Sequence, residues 1–270
     1  MTEAAATTGR SVVRVEHGLV VVVAEPETPA ALPPVLLVHG FGSSVKLTWE
    51  QTGWFTALLS AGRRVIAVDL PGHGRSPAPE DVAAYAPSRI RSALLRIATD
   101  AGARPIANGD PVSGLDVVGY SLGSRLAWEL GSAHPETVRR IVLGGPSHDD
   151  PLAQLDLAAA QRFLADGTPV EDASTAALVT MMQTSPGSPA QTLLHLVAAV
   201  KQEPYDAATA VPSQPVLLVS GEKDDLVDSL PLLEKLVPTV EVLTLPGRTH
   251  VNAVSARAFK QAAVEFLARD

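Results

Sequence analysis

The sequence predicts an α/β protein: a mostly parallel, eight-stranded sheet flanked by helices, with a small helical segment inserted after the sixth strand. Eight short runs rich in apolar and β-branched residues alternate with stretches in which apolar residues recur at helical spacing. The first two runs flank His17-Gly18 and predict an antiparallel hairpin. A chain of 270 residues is long enough for one such domain with an insertion.

Most of the predicted strands are almost entirely apolar, as is typical of parallel strands that are covered on both faces. The eight strands are Val12–Glu16, Leu19–Ala24, Val35–His39, Val65–Asp69, Leu115–Gly119, Ile141–Gly144, Val216–Ser220 and Val240–Leu245. The last is more mixed in composition and suits a sheet edge. Apolar spacing of three and four predicts helices at Trp54–Ala61, Pro87–Ala101, Ser121–Ser132, Val227–Leu236 and Asn252–Ala268.

One long interval, from about Ser147 to Pro212, contains no predicted strand. It holds three helical patterns separated by glycine and proline: Leu155–Ala165, Thr175–Gln183 and Gln191–Lys201. We therefore expect a core domain formed by residues 1–146 and 213–270, and a helical cap formed by residues 147–212.

The composition narrows the classes of function. Hydrophobic residues make up 46% of the chain and charged residues 19%, which is ordinary for a folded protein. The absence of cysteine excludes disulfides, thiolate metal sites and cysteine nucleophiles. A net charge of −8 disfavours nucleic acid and anionic membranes as partners, so a small molecule is expected instead.

The expected location and assembly follow from the same composition. Residues 1–10 lack a basic region followed by an apolar stretch, so we predict no signal peptide. The apolar runs are too short to span a membrane. We expect a cytoplasmic protein that is a monomer or a weak homodimer.

The motif that points to chemistry is Gly119-Tyr120-Ser121-Leu122-Gly123, which links a predicted strand to a predicted helix. A serine at the apex of such a sharp turn requires minimal side chains two residues to either side. The helix that begins behind Ser121 would direct its first amides at the reacting centre, and Leu122 would donate its N–H to a developing oxyanion. In isolation, a five-residue match of this kind is more often an incidental glycine-rich turn.

A second backbone donor is predicted after the third strand. His39-Gly40-Phe41-Gly42 lies at the end of that strand, where a loop can bring the N–H of Phe41 to the same oxyanion. Considered alone, an HG pair at this place is more often an ordinary turn after a buried strand.

Three segments together, HGFGSS at residues 39–44, DLPGHGRS at 69–76 and GYSLGS at 119–124, resemble the α/β-hydrolase superfamily in order and spacing. The resemblance covers nearly the whole chain. It implies that Ser121 is the nucleophile, that Asp224 is the acid after the strand that follows the cap, and that His250 is the base after the last strand. Asp225 is the rival acid, although it or Asp228 is also suited to cap the helix near Val227.

This chemistry has a physical reason. A serine hydroxyl is a weak nucleophile at neutral pH, so an imidazole must take its proton and a carboxylate must orient that imidazole. The chain order Ser, Asp, His matches the hydrolase arrangement. Of the other histidines, His39 is expected to support the oxyanion loop and His73 to lie near the rim without a catalytic role. We predict no metal and no cofactor.

The resemblance implies an acyl-transfer reaction on an apolar substrate. An ester, thioester or lactone is expected, which makes a carboxylesterase the first interpretation. Haloalkane dehalogenases and epoxide hydrolases are disfavoured, since they carry aspartate where Ser121 stands, and proline iminopeptidases are disfavoured because their HGGPG segment is absent. The residues expected at the substrate are Tyr120, Arg125, Met181 and Met182, with Leu178, Leu193 and Leu196 as further apolar candidates that would alternatively only pack the cap.

Other interpretations remain open. GYSLGSR is similar to the GYSxGGR segment of the menaquinone-pathway SHCHC synthase, which eliminates pyruvate with the same triad and uses the arginine to bind a carboxylate-rich substrate. Here Ser124 replaces a glycine of that segment, the cap has no tryptophan, and Arg125 has a possible partner in Glu129 one helical turn later. A ligand receptor that retains the triad is a third interpretation, and cofactor-free oxygenases and perhydrolases use similar residues.

Overall fold

The computed structural model describes residues 9–269. Residues 1–8, which belong to the segment predicted not to be a signal peptide, lie outside the described residues. The described part contains the expected eight-stranded sheet, in the order β1-β2-β4-β3-β5-β6-β7-β8. The strands are β1 Arg10–Glu16, β2 Leu19–Glu25, β3 Val35–Val38, β4 Val65–Asp69, β5 Leu115–Tyr120, β6 Val138–Gly144, β7 Val216–Gly221 and β8 Val240–Leu245.

The pairing of the strands confirms a mostly parallel sheet opened by an antiparallel hairpin. β1 pairs antiparallel with β2 and β2 antiparallel with β4, whereas every pair from β4 through β3, β5, β6 and β7 to β8 is parallel. The carboxyl ends of parallel neighbours lie at one edge of a sheet. The loops that leave β3, β5, β6, β7 and β8 therefore meet at the same edge.

Eight α-helices within residues 9–269 follow the predicted alternation. They are α1 Trp54–Ser60, α2 Pro87–Asp100, α3 Leu122–Ala133, α4 Leu157–Asp166, α5 Ala173–Thr184, α6 Ala190–Gln202, α7 Leu230–Glu234 and α8 Arg257–Leu267. Short 3₁₀ turns cover Val82–Tyr85, Pro151–Gln154, Val227–Ser229 and Ala253–Ser255, and one π-helical turn covers Val45–Glu50.

Two predicted helices are shorter in the structure. The helix predicted over Val227–Leu236 divides into a 3₁₀ turn and α7, with Pro231 in the first turn of α7. Proline has no N–H to donate to a preceding carbonyl, so it is tolerated at a helix start and not in its interior. The helix predicted from Asn252 begins instead at Arg257, because Ala256 is extended.

Apolar side chains cover both faces of the sheet. One cluster packs α2 and α3 against the sheet, with Leu94, Ile97, Leu126 and Leu130 among its buried members. The other packs α1 and α8 against the opposite face, around Trp49, Trp54, Phe55, Phe259 and Phe266. This burial from both sides explains the apolar strands and fixes the edge from which the loops emerge.

Helices α4, α5 and α6 lie between β6 and β7 and have an apolar cluster of their own. Its buried members are Leu155, Ala160, Val179, Met182, Leu193, Leu194 and Val197. Phe41, which follows β3, packs against both this cluster and the cluster on the α2–α3 face of the sheet. The helical insertion thus contacts the loop at the carboxyl end of β3.

Candidate active site

Ser121 stands at the apex of the turn between β5 and α3. Its backbone has φ 54° and ψ −118°, and His17 is the one other non-glycine residue with positive φ in the part of the chain that the structure describes. A Cβ on Gly119 would lie 2.2 Å from the carbonyl oxygen of Gly123, and a Cβ on Gly123 would lie 2.0 Å from that of Val38. Only glycine fits at both positions, which explains the spacing of the motif.

His250 lies in the loop after β8 and faces the serine. Its Nε2 is 3.0 Å from Ser121 Oγ, and its Nδ1 is 2.9 Å from Asp224 Oδ2. The ring packs over Gly145, where a Cβ would lie 2.7 Å from the His250 Cε1 atom. The three side chains that the sequence pointed to are thus brought into one continuous hydrogen-bonded chain, although they come from three separate loops.

Asp224 is the acid of this chain, and it is buried. Its Oδ2 also accepts a bond of 3.1 Å from the Ser220 hydroxyl, and its Oδ1 accepts one of 2.9 Å from the Leu226 N–H. Burial alone would raise the pKa of Asp224, but the bonds from His250, Leu226 and Ser220 outweigh it and hold the pKa below its ordinary value. The carboxylate therefore stays ionised beside the imidazole.

Asp225, the rival acid, is exposed, and His250 Nδ1 is bonded to Asp224 instead. The expectation that it or Asp228 caps the following helix is wrong. The turn at Val227–Ser229 has no side-chain cap, and the N–H of Leu226 is bound by Asp224 instead. The Asp224 carboxylate therefore orients His250 and also binds the backbone of the loop in which it lies.

The two predicted oxyanion donors lie on segments that pack against the serine. A Cβ on Gly40, next to Phe41, would lie 3.1 Å from Ser121 Cβ. Two N–H groups nearby are occupied: Gly42 donates to His73 Nε2 and Ser124 to the Ser121 carbonyl. Within the described chain, the N–H groups of Phe41 and Leu122 have no acceptor. Unoccupied backbone donors close to the nucleophile are the groups that a tetrahedral oxyanion requires.

Two buried histidines hold the loop that carries Phe41. His39 Nδ1 donates to the Gly40 carbonyl and its Nε2 accepts from the Leu70 N–H, while His73 Nδ1 donates to the Pro71 carbonyl and its Nε2 accepts from the Gly42 N–H. A carbonyl only accepts and an N–H only donates, so both rings are neutral in this arrangement. Burial lowers the pKa of His39 to about 4, and burial together with His39 lowers that of His73 to about 3.

The role of His73 was missed by the sequence reasoning, which placed it at the rim of the site. Its partner Gly42 is distant in sequence, and no local pattern links the two. The Pro-Gly-His-Gly turn was the one available signal, because it marks a histidine in a tightly folded loop.

A cavity of about 950 Å³ opens over Ser121 and His250. Apolar side chains from the core loops and the helical insertion line much of it, including Leu47, Leu152, Leu155, Leu178, Met181 and Val251. Tyr120 also lines the cavity, and its hydroxyl donates to the His250 carbonyl over 2.6 Å. The cavity therefore offers an apolar pocket directly beside the serine.

Met182 does not line this cavity, contrary to the prediction. It is 1% exposed and packs inside the apolar cluster of α4, α5 and α6, whereas Met181 is 37% exposed and lines the cavity. Adjacent residues of a helix point about 100° apart, so only one of the two methionines can face the serine. Leu193 and Leu196 are likewise buried in packing clusters and not in the cavity wall.

Arg125 lines the cavity, but its charge is already matched. Its guanidinium forms an ion pair with Asp150, donates to the Glu203 carbonyl over 2.6 Å, and lies 3.6 Å from the Glu129 carboxylate. The predicted pairing with Glu129 at i+4 is present, and it is one of several contacts. Asp150 and Glu203 therefore bind the two terminal nitrogens, and among the described residues the buried Nε has no hydrogen-bond partner.

Two kinds of feature are absent from residues 9–269. No cluster of three or more histidine, aspartate or glutamate side chains is arranged to hold a metal ion. Within the same residues, no helix has both the length and the apolar character needed to cross a membrane.

The chain is similar in sequence to known proteins over less than half of its length, and similar in structure to known proteins over nearly all of it. An epoxide hydrolase of Caballeronia sordidicola is 30% identical over 109 residues, which are 40% of this chain and 30% of that protein. The putative carbamate hydrolase RutD of Variovorax paradoxus is 38% identical over 119 residues, which are 44% of this chain and 40% of that protein. The match thus spans less than half the length of either curated relative.

The structural likeness covers much more of the chain. A carboxylesterase structure from the ammonia-oxidizing thaumarchaeon Nitrososphaera gargenis superposes with a TM-score of 0.70 at 16% identity, over 95% of this chain and 98% of that one. At that identity the likeness shows the fold alone. The model of the alpha/beta hydrolase family matches residues 35–262, from β3 into α8. The chain therefore belongs to the alpha/beta hydrolase family.

Proposed function

We propose that the protein is a serine hydrolase that cleaves an uncharged carboxylic ester, thioester or lactone through an acyl-enzyme on Ser121. The observation that carries this proposal is the hydrogen-bonded chain from Ser121 through His250 to Asp224, with the serine held in a strained turn at the floor of an apolar cavity. A positioned base and a buried orienting carboxylate are what an unactivated hydroxyl needs in order to attack a carbonyl.

In the acylation step, Ser121 Oγ forms a bond to the substrate carbonyl carbon while His250 Nε2 takes the hydroxyl proton. Asp224 holds the Nδ1–H tautomer, which leaves Nε2 free to accept, and then stabilises the imidazolium. The imidazolium returns the proton to the departing alcohol or thiol as its bond to the carbonyl carbon breaks. In deacylation, His250 activates a water molecule by the same route and the acid product leaves.

The negative charge that develops on the carbonyl oxygen would be bound by the N–H groups of Phe41 and Leu122. Each such donor contributes on the order of 10²- to 10³-fold to the rate in hydrolases of this type. His39 and His73 support this role indirectly, because they fix the backbone on both sides of Phe41.

We further propose that residues 147–212 form a cap over the core made by residues 1–146 and 213–270. The separate apolar cluster of α4, α5 and α6 supports this division, and Leu178 and Met181 of α5 line the cavity. The cap would then supply one wall of the acyl pocket, and differences in that wall would select the acyl group.

The charges at the cavity favour an uncharged acyl group. Among the described residues that line it, the acidic side chains are Asp149, Asp150, Asp224 and Asp225, and, apart from the catalytic His250, the one basic side chain is Arg125. The arginine is already paired with Asp150. A substrate carboxylate would therefore meet an excess of negative charge and no free cation.

Two alternatives draw on the same site. A pyruvate-eliminating synthase is favoured by the position of Arg125 in the cavity, and disfavoured by its pairing with Asp150. A receptor with a slow triad is compatible with the same geometry. Opening of an epoxide, the activity in the name of one relative, is disfavoured because a serine stands at the position where epoxide hydrolases carry an aspartate.

The proposal is tested with p-nitrophenyl esters of neutral acyl chains from acetyl to decanoyl, beside the hemisuccinate ester, which carries a carboxylate. We expect turnover of the neutral esters, at least tenfold lower kcat/KM for the hemisuccinate, and no turnover by Ser121→Ala. Lack of hydrolysis of every neutral ester by folded protein would contradict the proposal. In that case, pyruvate release from the menaquinone precursor would identify the synthase, and its absence would leave the receptor.

A further inference from the structure

Arg125 is buried one helical turn after Ser121, where it connects α3 to the helical insertion. Its side chain is 6% exposed. It forms an ion pair with Asp150, near the start of the 147–212 segment, and donates over 2.6 Å to the backbone carbonyl of Glu203, just after α6. A single guanidinium on the helix that follows the nucleophile therefore binds both ends of the insertion.

Further contacts hold the part of the 147–212 segment that follows α6. The Arg125 guanidinium carbon lies 5.2 Å from the centre of the Tyr205 ring, a distance typical of a cation–π contact. The carboxylate of Glu203 accepts from the Ser88 N–H over 2.8 Å and from the Ser88 hydroxyl over 2.6 Å. Glu203 is thus hydrogen-bonded to α3 through its carbonyl and to α2 through its side chain.

The start of the insertion leads directly into the cavity wall. Asp150 Oδ1 accepts from the Leu152 N–H over 3.0 Å and so caps the 3₁₀ turn Pro151–Gln154, while its Oδ2 binds Arg125. Leu152 and Leu155, on and just after that turn, both line the cavity. The position of Arg125 therefore sets where these two leucines stand relative to Ser121.

We propose that Arg125 is a positioning residue that fixes both ends of the 147–212 segment to α3, and thereby sets the acyl-chain length that the pocket accepts. The proposal rests on the proposed hydrolase function for its kinetic consequence. It gives the arginine a task other than binding a substrate anion, since Asp150 and the Glu203 carbonyl bind its two terminal nitrogens and the Glu129 carboxylate lies 3.6 Å from its Nε.

The geometry requires arginine rather than lysine. The planar guanidinium presents donors in several fixed directions, so it can bind a carboxylate on one side and a carbonyl on the other. A lysine ammonium is a compact charge on a flexible stem, and it would retain the attraction to Asp150 without spanning to Glu203. Arg125→Lys is therefore expected to keep part of the function, and Arg125→Met to lose it.

The test compares Arg125→Met and Arg125→Lys with a control, Arg91→Met. Arg91 pairs with Glu129 in the same charge network over 2.6 Å, and among the described residues it forms no hydrogen bond or ion pair with the 147–212 segment. For Arg125→Met we expect KM for the octanoyl and decanoyl esters to rise roughly tenfold, with kcat for the acetyl ester changed by less than about threefold. Arg125→Lys should fall between Arg125→Met and wild type, and Arg91→Met should resemble wild type.

Limited proteolysis supplies a readout that does not depend on activity. Cleavage within residues 147–212 should be faster in Arg125→Met than in wild type or Arg91→Met, because both ends of the segment are released. If Arg125→Met does not fold, Asp150→Asn replaces it, because this variant weakens one of the two contacts that Arg125 makes with the segment. It should shift the chain-length profile and the cleavage rate in the same direction.

Three results would overturn the proposal. The first is an unchanged chain-length profile with unchanged proteolysis in the folded variants. The second is an equal loss of kcat for short and long esters, which would place the effect at Ser121 itself. The third is a change in Arg91→Met as large as that in Arg125→Met. If wild type hydrolyses no ester, the proteolysis comparison still decides the anchoring, so failure of the proposed function is distinguishable.

Discussion

Replacement of Asp224 by asparagine is expected to lower kcat for a neutral p-nitrophenyl ester by roughly four orders of magnitude. The amide can donate to His250 Nδ1, which stabilises the tautomer whose proton lies on Nε2, the atom that must accept from Ser121. It also removes the negative charge that stabilises the imidazolium. Asparagine has nearly the same shape as aspartate, so the substitution should leave the cavity unchanged. The loss should therefore appear in kcat, with KM changed little.

Asp225→Asn is the matched control, because it changes a neighbouring carboxylate in the same loop. Asp225 is exposed and does not contact His250. Its variant should retain kcat within about threefold of wild type, since surface substitutions have small effects. A larger loss in Asp225→Asn than in Asp224→Asn would show that the acid has been assigned to the wrong residue.

Lowering the pH from 7.5 to 5 is expected to reduce the free energy of unfolding by about 4 kcal/mol through His39 and His73. Each has an ordinary pKa of 6.5, and burial lowers the folded-state value to about 4 for His39 and about 3 for His73. Below pH 6.5 these two histidines are protonated in the unfolded chain and remain neutral in the folded chain. The stabilising contribution is therefore present above pH 6.5 and lost progressively as the pH falls towards the folded-state values.

Urea unfolding at the two pH values measures this effect. His73→Gln keeps an acceptor for Gly42 and cannot titrate, so its loss of stability between pH 7.5 and 5 should be about 2 kcal/mol smaller than that of wild type. Identical pH dependence in wild type and His73→Gln would contradict the neutral, buried state of His73.

The order of strands and helices could be predicted from the sequence because it depends on local periodicity. Apolar runs bounded by glycine, proline and charge gave strands β4 and β8 their bounds, and helical spacing located α4, α5 and α6 within a few residues. The candidate nucleophile could be predicted from its glycine-flanked turn between a strand and a helix, and the acid and base from the resemblance to the α/β-hydrolase superfamily, which implies where they lie. What local periodicity cannot give is which elements touch.

Contacts between distant parts of the chain account for the site residues whose position or partners were predicted wrongly or not at all. Met181 and Met182 are neighbours on one helix, and only the packing of α5 decides that the first faces the cavity while the second is buried. Arg125 has one predictable partner, Glu129 at i+4, whereas Asp150 and Glu203 are 25 and 78 residues away in sequence. Contacts between distant loops leave no periodic signal, so the role of Arg125 emerges only from the folded chain.

The most direct test of the account is covalent labelling by a fluorophosphonate, which reacts only with a serine activated by a neighbouring base. Intact-mass and peptide analysis should find one probe per chain, attached to Ser121, in wild type. Ser121→Ala should remain unlabelled, and His250→Ala should label much more slowly. Folded wild-type protein that remains unlabelled, or that carries the probe at another serine, would contradict the central claim that Ser121 is the activated nucleophile.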